Sequence, residues 1–360
     1  MAANALTPTP GFDRTRQRFD AWWNRAIVDR PLLTVFAKPA RPYRGPVKQH
    51  ATAEDYWFDI EYRLERRIAE LEQLDYVGDF FPWFFANLGP EITGTLLGAT
   101  LGYLDEETGW AEPVVHEVSD WQRIIDTKPD FDNRYWRTME RMTQLALDAC
   151  DGRYVVGITD LHGNYDILAS LREPEDLCLD MMDDPELVRR AGAHVSEIFA
   201  QAFERCYALL AAAGHPCTTW CPMLHDGPAY LPSCDFWCMV SPRIAREMIL
   251  PDIVREMRGM ERTLFHLDGP DALGHLDALL EIEQLDAVQW VYGAGHGPAA
   301  RWMDVLKRIQ TAGKGIQICV EDPADAMAVM EQLRPEGVWL LVNEPFDSTA
   351  DAQAFVDQFA

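Results

Sequence analysis

The stretch Thr263-Leu-Phe-His-Leu-Asp-Gly-Pro270 sets an imidazole and a carboxylate two residues apart, His266 and Asp268. Thr263 to Leu267 is apolar and of strand length, so on an ideal strand the two polar side chains project from one face. An imidazole with a carboxylate is an adequate donor set for zinc, and equally for harder divalent cations such as manganese or iron. Alternatively, His266 simply hydrogen-bonds Asp268 and caps the helix predicted from Asp271 to Ile282. Two ligands do not make a site; Glu344, Cys234 and His162 are the candidates to complete the metal shell.

Other polar residues cluster just after predicted strands. Asp160, His162 and Asn164 follow Tyr154 to Ile158, and His225, Asp226 and Asp235 lie beyond Thr218 to Trp220. Tyr292 and His296 follow or end the run from Ala287, Glu321 and Asp322 follow Gly315 to Val320, and Asn343 and Glu344 close the last run. If one end of a sheet collects them, the result is a concave site suited to a metal or to proton transfer. Asp160, His162, Asp235 and Tyr292 are the acid, base or orienting candidates. Trp83 and Trp290 are candidate apolar walls, although core packing also explains them. His225 and His296 are candidate substrate contacts. Arg41 and Arg44, in the loop after the first strand, could grip a carboxylate by bidentate contacts or simply face solvent.

Two C-x₃-C pairs, Cys217/Cys221 and Cys234/Cys238, have spacing that a structural zinc site permits. Cys221 ends an apparent strand and Cys238 sits in the apolar run Phe236-Trp-Cys-Met-Val240, which favours buried packing instead. No G-x-S-x-G nucleophile elbow is present. The phosphate fingerprint G-x-G-x-x-G is missing at the first strand, and the Gly-rich loop Gly293-Ala-Gly-His-Gly297 lacks a P-loop Lys-Ser/Thr.

The elements that must position these groups read as an alternation. Phe12 to Ala26 predicts an amphipathic helix with Phe12, Phe19, Trp22 and Trp23 on one side. Pro31 to Ala37 predicts a buried strand, Ala53 to Leu74 a helix, and Phe80 to Phe85 a second buried segment. From Phe131 onward helices and strands alternate regularly, with long helices expected over Pro174 to Ala213 and Pro242 to Glu261. About eight strand-like runs alternating with helices predict an α/β fold with parallel strands and crossover helices. At 360 residues, one closed (β/α)8 TIM barrel over residues 31–360, with an N-terminal helical extension over 1–30, is favoured over an open doubly wound sheet. In such barrels the carboxyl ends of the strands carry the chemistry.

A formal charge of −26 argues against nucleic acid, whose phosphates need clustered Lys and Arg, and against anionic membrane surfaces. It is compatible with a cationic substrate without implying one. No apolar run reaches the ~20 residues of a membrane-spanning helix, and Met1 to Phe12 lacks signal-peptide features. Eight scattered cysteines suggest a reducing compartment, so a cytoplasmic location is expected.

From about Pro31 to Asn343 the chain resembles the uroporphyrinogen decarboxylase superfamily. The resemblance is carried by Asp160-Leu-His-Gly163, Cys234-Asp-Phe-Trp-Cys-Met-Val-Ser-Pro242, Phe265-His-Leu-Asp-Gly-Pro270 and Gln289-Trp-Val-Tyr-Gly-Ala-Gly295. It implies a single (β/α)8 barrel, often dimeric, with its site at the carboxyl ends of the strands. The decarboxylases proper carry an early Arg-Gln-Ala-Gly-Arg-Tyr motif, and Arg41-Pro-Tyr-Arg44 does not match it. The corrinoid-linked methyltransferases of the superfamily bind zinc through His-x-Cys and a later Cys. Here His266 matches the first ligand, Asp268 replaces the thiolate, and Asn343-Glu344 lies where the second Cys is expected. The resemblance thus implies a metal-dependent methyltransferase-like enzyme for a small substrate, with zinc or another divalent metal and a corrinoid protein or thiol as partner. The alternative is a cofactor-free decarboxylase or lyase for a small non-porphyrin carboxylate.

Overall fold

The most continuous apolar runs lie in the second half of the chain, and they form the middle of the main sheet. The computed structural model describes residues 6–360; residues 1–5 of the expected N-terminal extension lie outside the described residues. In chain order the strands are β1 (Leu32–Val35), β2 (Val77–Gly78), β3 (Trp83–Phe85), β4 (Leu101–Tyr103), β5 (Gly109–Ala111) and β6 (Val155–Gly157). They continue as β7 (Ala229–Tyr230), β8 (Arg262–Asp268), β9 (Ala287–Val291), β10 (Gly315–Val320) and β11 (Val338–Val342). Seven of them make one sheet in the order β2-β1-β11-β10-β9-β8-β7. Only the β1–β2 pair is antiparallel. β3 pairs with β6 in a separate parallel couple, and β4 with β5 in a short hairpin. The fold is therefore α/β with a mostly parallel sheet of seven strands, rather than one sheet of eight.

The expected strand Thr218 to Trp220 does not form. Cys217 instead makes an antiparallel bridge to His225, folding the segment between them back on itself. β7, at Ala229–Tyr230, takes the edge of the sheet next to β8.

Three expected helices are broken, each by a local cause. Ala53 to Leu74 divides at Asp59, whose carboxylate caps the second segment through the Tyr62 N–H. Pro174 to Ala213 divides at Asp184, which caps Pro185–Ala212 with Pro185 at its first position. Pro242 to Glu261 contains a wide π turn over Ala245–Ile249, just before Pro251, which has no N–H for a helical bond.

The helix Phe12–Trp23 is built into the core, across the amino ends of the central strands. Trp22 donates its indole N–H to the Ile316 carbonyl at 3.3 Å and Trp23 to that of Leu224 at 2.9 Å. Trp339 packs on Phe19 and Trp22 and donates to Thr34 Oγ1 at 2.9 Å. Buried Asp79 receives Arg18, Arg30 and the Leu33 N–H, tying the helix, β1 and the end of β2 together. The amino end of the sheet is thus filled, and the carboxyl end is left for the site. All eight cysteines are free thiols. Among the described residues no helix is long and apolar enough to cross a membrane.

Candidate metal centre and adjoining cavity

β8 is held on both sides, which fixes the direction of its polar residues. His266 pairs with Gln289 and Asp268 with Val291 on β9, while Ser233 bridges to His266 on the other side. Because side chains alternate, His266 and Asp268 share a face and Leu267 takes the other. Gly269, at φ 76°, then ends the strand with its N–H on the Val291 carbonyl.

Asp235 comes from the loop after β7 and completes a triad. One donor atom each from Asp235, His266 and Asp268 lie within 4.8 Å of one another. His266 Nδ1 meets Gln289 Oε1 in a short hydrogen bond, so in the neutral ring that nitrogen carries the proton and Nε2 is the free donor atom. The Trp220 ring stands edge-on to the imidazole at 5.3 Å. Asp268 Oδ1 is buried with no hydrogen-bond partner. An orphaned carboxylate oxygen beside an imidazole lone pair and a second carboxylate is a fitting shell for a divalent cation. The set is one nitrogen and two oxygens, harder than a thiolate site.

The second group of polar residues arrives on the loop after β6. Leu161 N–H donates to Tyr230 Oη at 2.6 Å and His162 N–H to the Pro90 carbonyl at 2.9 Å. Asn164 holds the end of this loop in a left-handed conformation at φ 33°. Its N–H and side-chain amide both donate to the buried carboxylate of Glu256, at 2.6 and 2.8 Å, and the amide also reaches the Ser233 carbonyl at 2.8 Å. Gly163 is required here, since a Cβ would lie 2.0 Å from Glu256 Oε1. The two loops carrying Asp160, His162 and Asp235 are therefore pinned to each other.

Crowding of carboxylates governs the electrostatics. Burial raises Asp160, and the Asp235 charge adds to this while His162 and His266 oppose it. Burial and Asp166 raise Asp235; burial and Asp235 raise Asp268. Burial pulls His162 down, but Asp166, Asp160, Asp235 and Glu91 outweigh it and raise the imidazole. Every one of these shifts is a preference for positive charge or a proton at the site.

A cavity of about 510 Å³ opens on Asp235. Its walls include Glu91, Trp110, His162, Asp166 and Phe236. Asp166 anchors the wall by accepting the Phe236 N–H at 2.9 Å and the Ser233 hydroxyl at 3.2 Å.

The structure thus brings Asp160, His162, Asp235, His266 and Asp268 together, and leaves the other candidates elsewhere. Cys234 is fully buried, and burial pushes its thiol well up, away from the thiolate form. Glu344 is exposed beyond β11. Tyr292 is buried against Glu321 and Gly297, its hydroxyl pushed up to about 12 by burial and then by Glu321. His296 is exposed. Trp290 alternates with Gln289, points to the opposite face, and packs on Trp302 at 5.5 Å. Trp83 lies under Arg67 of the helix Ile60–Leu71 at 5.3 Å. His225 bonds Glu261 at 3.1 Å and packs on Trp23, at the amino end of β8. That end lies about 20 Å from Asp268, at roughly 3.3 Å per residue. Arg41 and Arg44 are exposed.

Four participants were not among the sequence candidates. Gln289 had a signal: it is the lone polar residue of a buried strand, in register with His266. Cys319 on β10 lies close enough to Asp268 to feel its charge, one strand earlier than the expected second thiol. Glu91 sits in an irregular segment, and Asp166 reads as an ordinary helix-start acid; neither carries a periodic signal.

A mostly parallel α/β sheet with a metal-competent triad at its strand ends defines the class. No family model and no curated protein matches the chain. Among solved structures, a methyltransferase from Methanosarcina mazei is similar to it with a TM-score of 0.58 and 12% identity, over 96% of this chain and 98% of that one. The likeness is one of fold. A B12-independent methionine synthase from Shewanella sp. W3-18-1, in complex with selenomethionine, aligns over 92% of this chain and 96% of that one at 10% identity. Its TM-score of 0.42 is too low to bear on function.

Proposed function

We propose that the protein is a metal-dependent, methyltransferase-like enzyme acting on a small substrate. The observation that carries this is the Asp235–His266–Asp268 triad, with donor atoms within 4.8 Å of one another and an unpartnered Asp268 oxygen. The fold of the Methanosarcina mazei methyltransferase supports methyl transfer as the reaction, by analogy of fold. The sheet and the β3–β6 couple together are taken to form the (β/α)8 barrel. Support comes from the bond of Ile158 N–H to the Thr218 carbonyl at 2.8 Å, which links β6 toward the β7 edge.

Asp235, His266 Nε2 and Asp268 would hold zinc or another divalent cation, which when bound supplies Lewis acidity toward a heteroatom of the substrate. Gln289 fixes the His266 tautomer and ring direction. His162, raised among four carboxylates, holds a proton that it can deliver to a leaving group or receive from an acceptor. The charge of Asp160 helps to hold that proton on the imidazole. Asp166 and the Asn164–Glu256 clamp hold the two loops at the distance the triad requires. The methyl acceptor would be a corrinoid on a separate partner protein, or a thiol. Free cysteines support a reducing, cytoplasmic setting, and a homodimer is the assembly that the sequence resemblance suggests. The carboxy-lyase reading has less support, since His162 is the one basic side chain among the cavity's lining residues and four acids surround it.

Elemental analysis of untagged protein purified without chelator tests the proposal, on wild type and His266→Ala. About one divalent metal per chain, lost in the variant, is the expected result. A folded, metal-free wild type would sink it. Loaded protein is then assayed for demethylation of small methylated compounds with corrinoid proteins or thiols as acceptors.

A further inference from the structure

Of the triad only Asp235 lines the cavity, so most of the cavity wall serves something other than a metal. One wall is Trp110, carried by the β4–β5 hairpin and 41% exposed. Its indole N–H is already committed to Glu112 Oε1 at 2.9 Å. Opposite it in the hairpin is Gly102, where a Cβ would come within 2.8 Å of the ring. The hairpin therefore holds a large aromatic ring at the cavity with its polar atom spent, leaving ring surface to meet a ligand. Phe236 and Met239 continue the apolar surface.

Between these apolar groups stand Glu91, Asp166 and Glu173, besides Asp235. Glu91 gives its Oε2 to the Ala111 N–H, and among the described residues its Oε1 has no hydrogen-bond partner. A carboxylate or phosphate ligand would meet four acidic side chains, with His162 the one basic group in the lining and already neighboured by Asp166, Asp235 and Glu91. A neutral apolar ligand would cover these acids without pairing them. An ammonium group carrying alkyl substituents answers both surfaces, because its carbons pack on the rings while its diffuse charge faces ring and carboxylates.

We infer that this cavity binds an organic cation of the alkylammonium class, with Trp110 as its aromatic face and Glu91 as its principal counter-charge. The inference deepens the proposed methyl transfer by naming its substrate class; the binding itself does not depend on the metal. Asp235 is the shared residue that would bring such a ligand to the triad. A net charge of −26 attracts any cation weakly across the surface, so the test must separate a shaped site from general attraction.

Titration calorimetry with choline and its neutral carbon isostere, 3,3-dimethylbutan-1-ol, makes that separation at fixed ionic strength. Choline is expected to bind at least tenfold more tightly than the isostere. Trp110→Ala and Glu91→Gln should each weaken choline at least fivefold. Glu173→Gln, at an exposed position, supplies the charge test if either variant fails to fold. Equal affinities, no binding of either compound, or choline binding indifferent to both cavity substitutions would overturn the inference. Metal content is measured on the same samples. A metal-free protein that still prefers choline ends the metal-dependent function and keeps the cation site, and a metal-loaded protein indifferent to charge does the reverse.

Discussion

The two sides of the site are built differently. His266, Asp268 and Gln289 sit on β8 and β9, strands of seven and five residues with a parallel neighbour on each side. Their positions follow from ladder hydrogen bonds and pleat. Asp160, His162 and Asp235 sit on loops beside β6 and β7, strands of three and two residues. There the backbone is held by side chains: Tyr230 on Leu161, Glu256 on Asn164, Asp166 on Phe236. A metal shell needs fixed angles, and the strand supplies them for two of the three proposed ligands, His266 and Asp268, while Asp235 comes from a loop. Proton-handling groups need a crowd of charges, and folded loops can gather one from distant parts of the chain.

That contrast can be broken first at Glu256, which is buried and carries three hydrogen bonds from Asn164 and Ser196. Glu256→Ala strands those donors and is expected to cost about 3 kcal/mol of stability, read by urea denaturation. On the strand side, Gln289→Ala should leave the fold intact while loosening the His266 ring. Metal affinity is expected to fall 10- to 100-fold, the usual effect of losing such a supporting bond, as measured by competition with a chelator.

Burial raises the Asp252 carboxyl behind the loop side from 3.8 to about 7, with Arg255 opposing and Glu197 adding. The folded chain thus holds this proton more tightly than the unfolded chain. Its stabilising contribution is full below about pH 3.8 and is lost as pH rises through about 7. Asp252→Asn should flatten that decline, so thermal melts of the two proteins should converge at low pH and diverge toward pH 8 in the variant's favour. Parallel curves would show that Asp252 does not titrate in this range. The smallest effect is expected at His225, at the far end of β8. His225→Ala should leave metal binding unchanged, and a loss there would undo its placement away from the site.

Much of the strand side was readable in advance. Thr263 to Leu267, Ala287 to Tyr292, Gly315 to Val320 and Gly337 to Asn343 are apolar runs bounded by turns, and each became a strand within a residue or two. The His266-x-Asp268 spacing already placed both side chains on one face, because strand periodicity is a local property. The loop side was readable only as a list of polar residues. Trp290 illustrates the limit: a one-residue step in register sends it outward while Gln289 points to His266.

What the sequence by itself determined is the set of runs whose period and composition admit one local answer. These are the parallel strands, the buried aromatic face of the first helix, and the pairing of an imidazole with a carboxylate on β8. Only the tertiary structure decided which distant groups meet them. Asp235 reaches His266 across 31 residues of chain, Glu256 anchors a loop 92 residues away, and Trp110 arrives on a hairpin far from either. Such contacts depend on how whole elements pack and on which loop can satisfy a buried carboxylate. No local spacing encodes them.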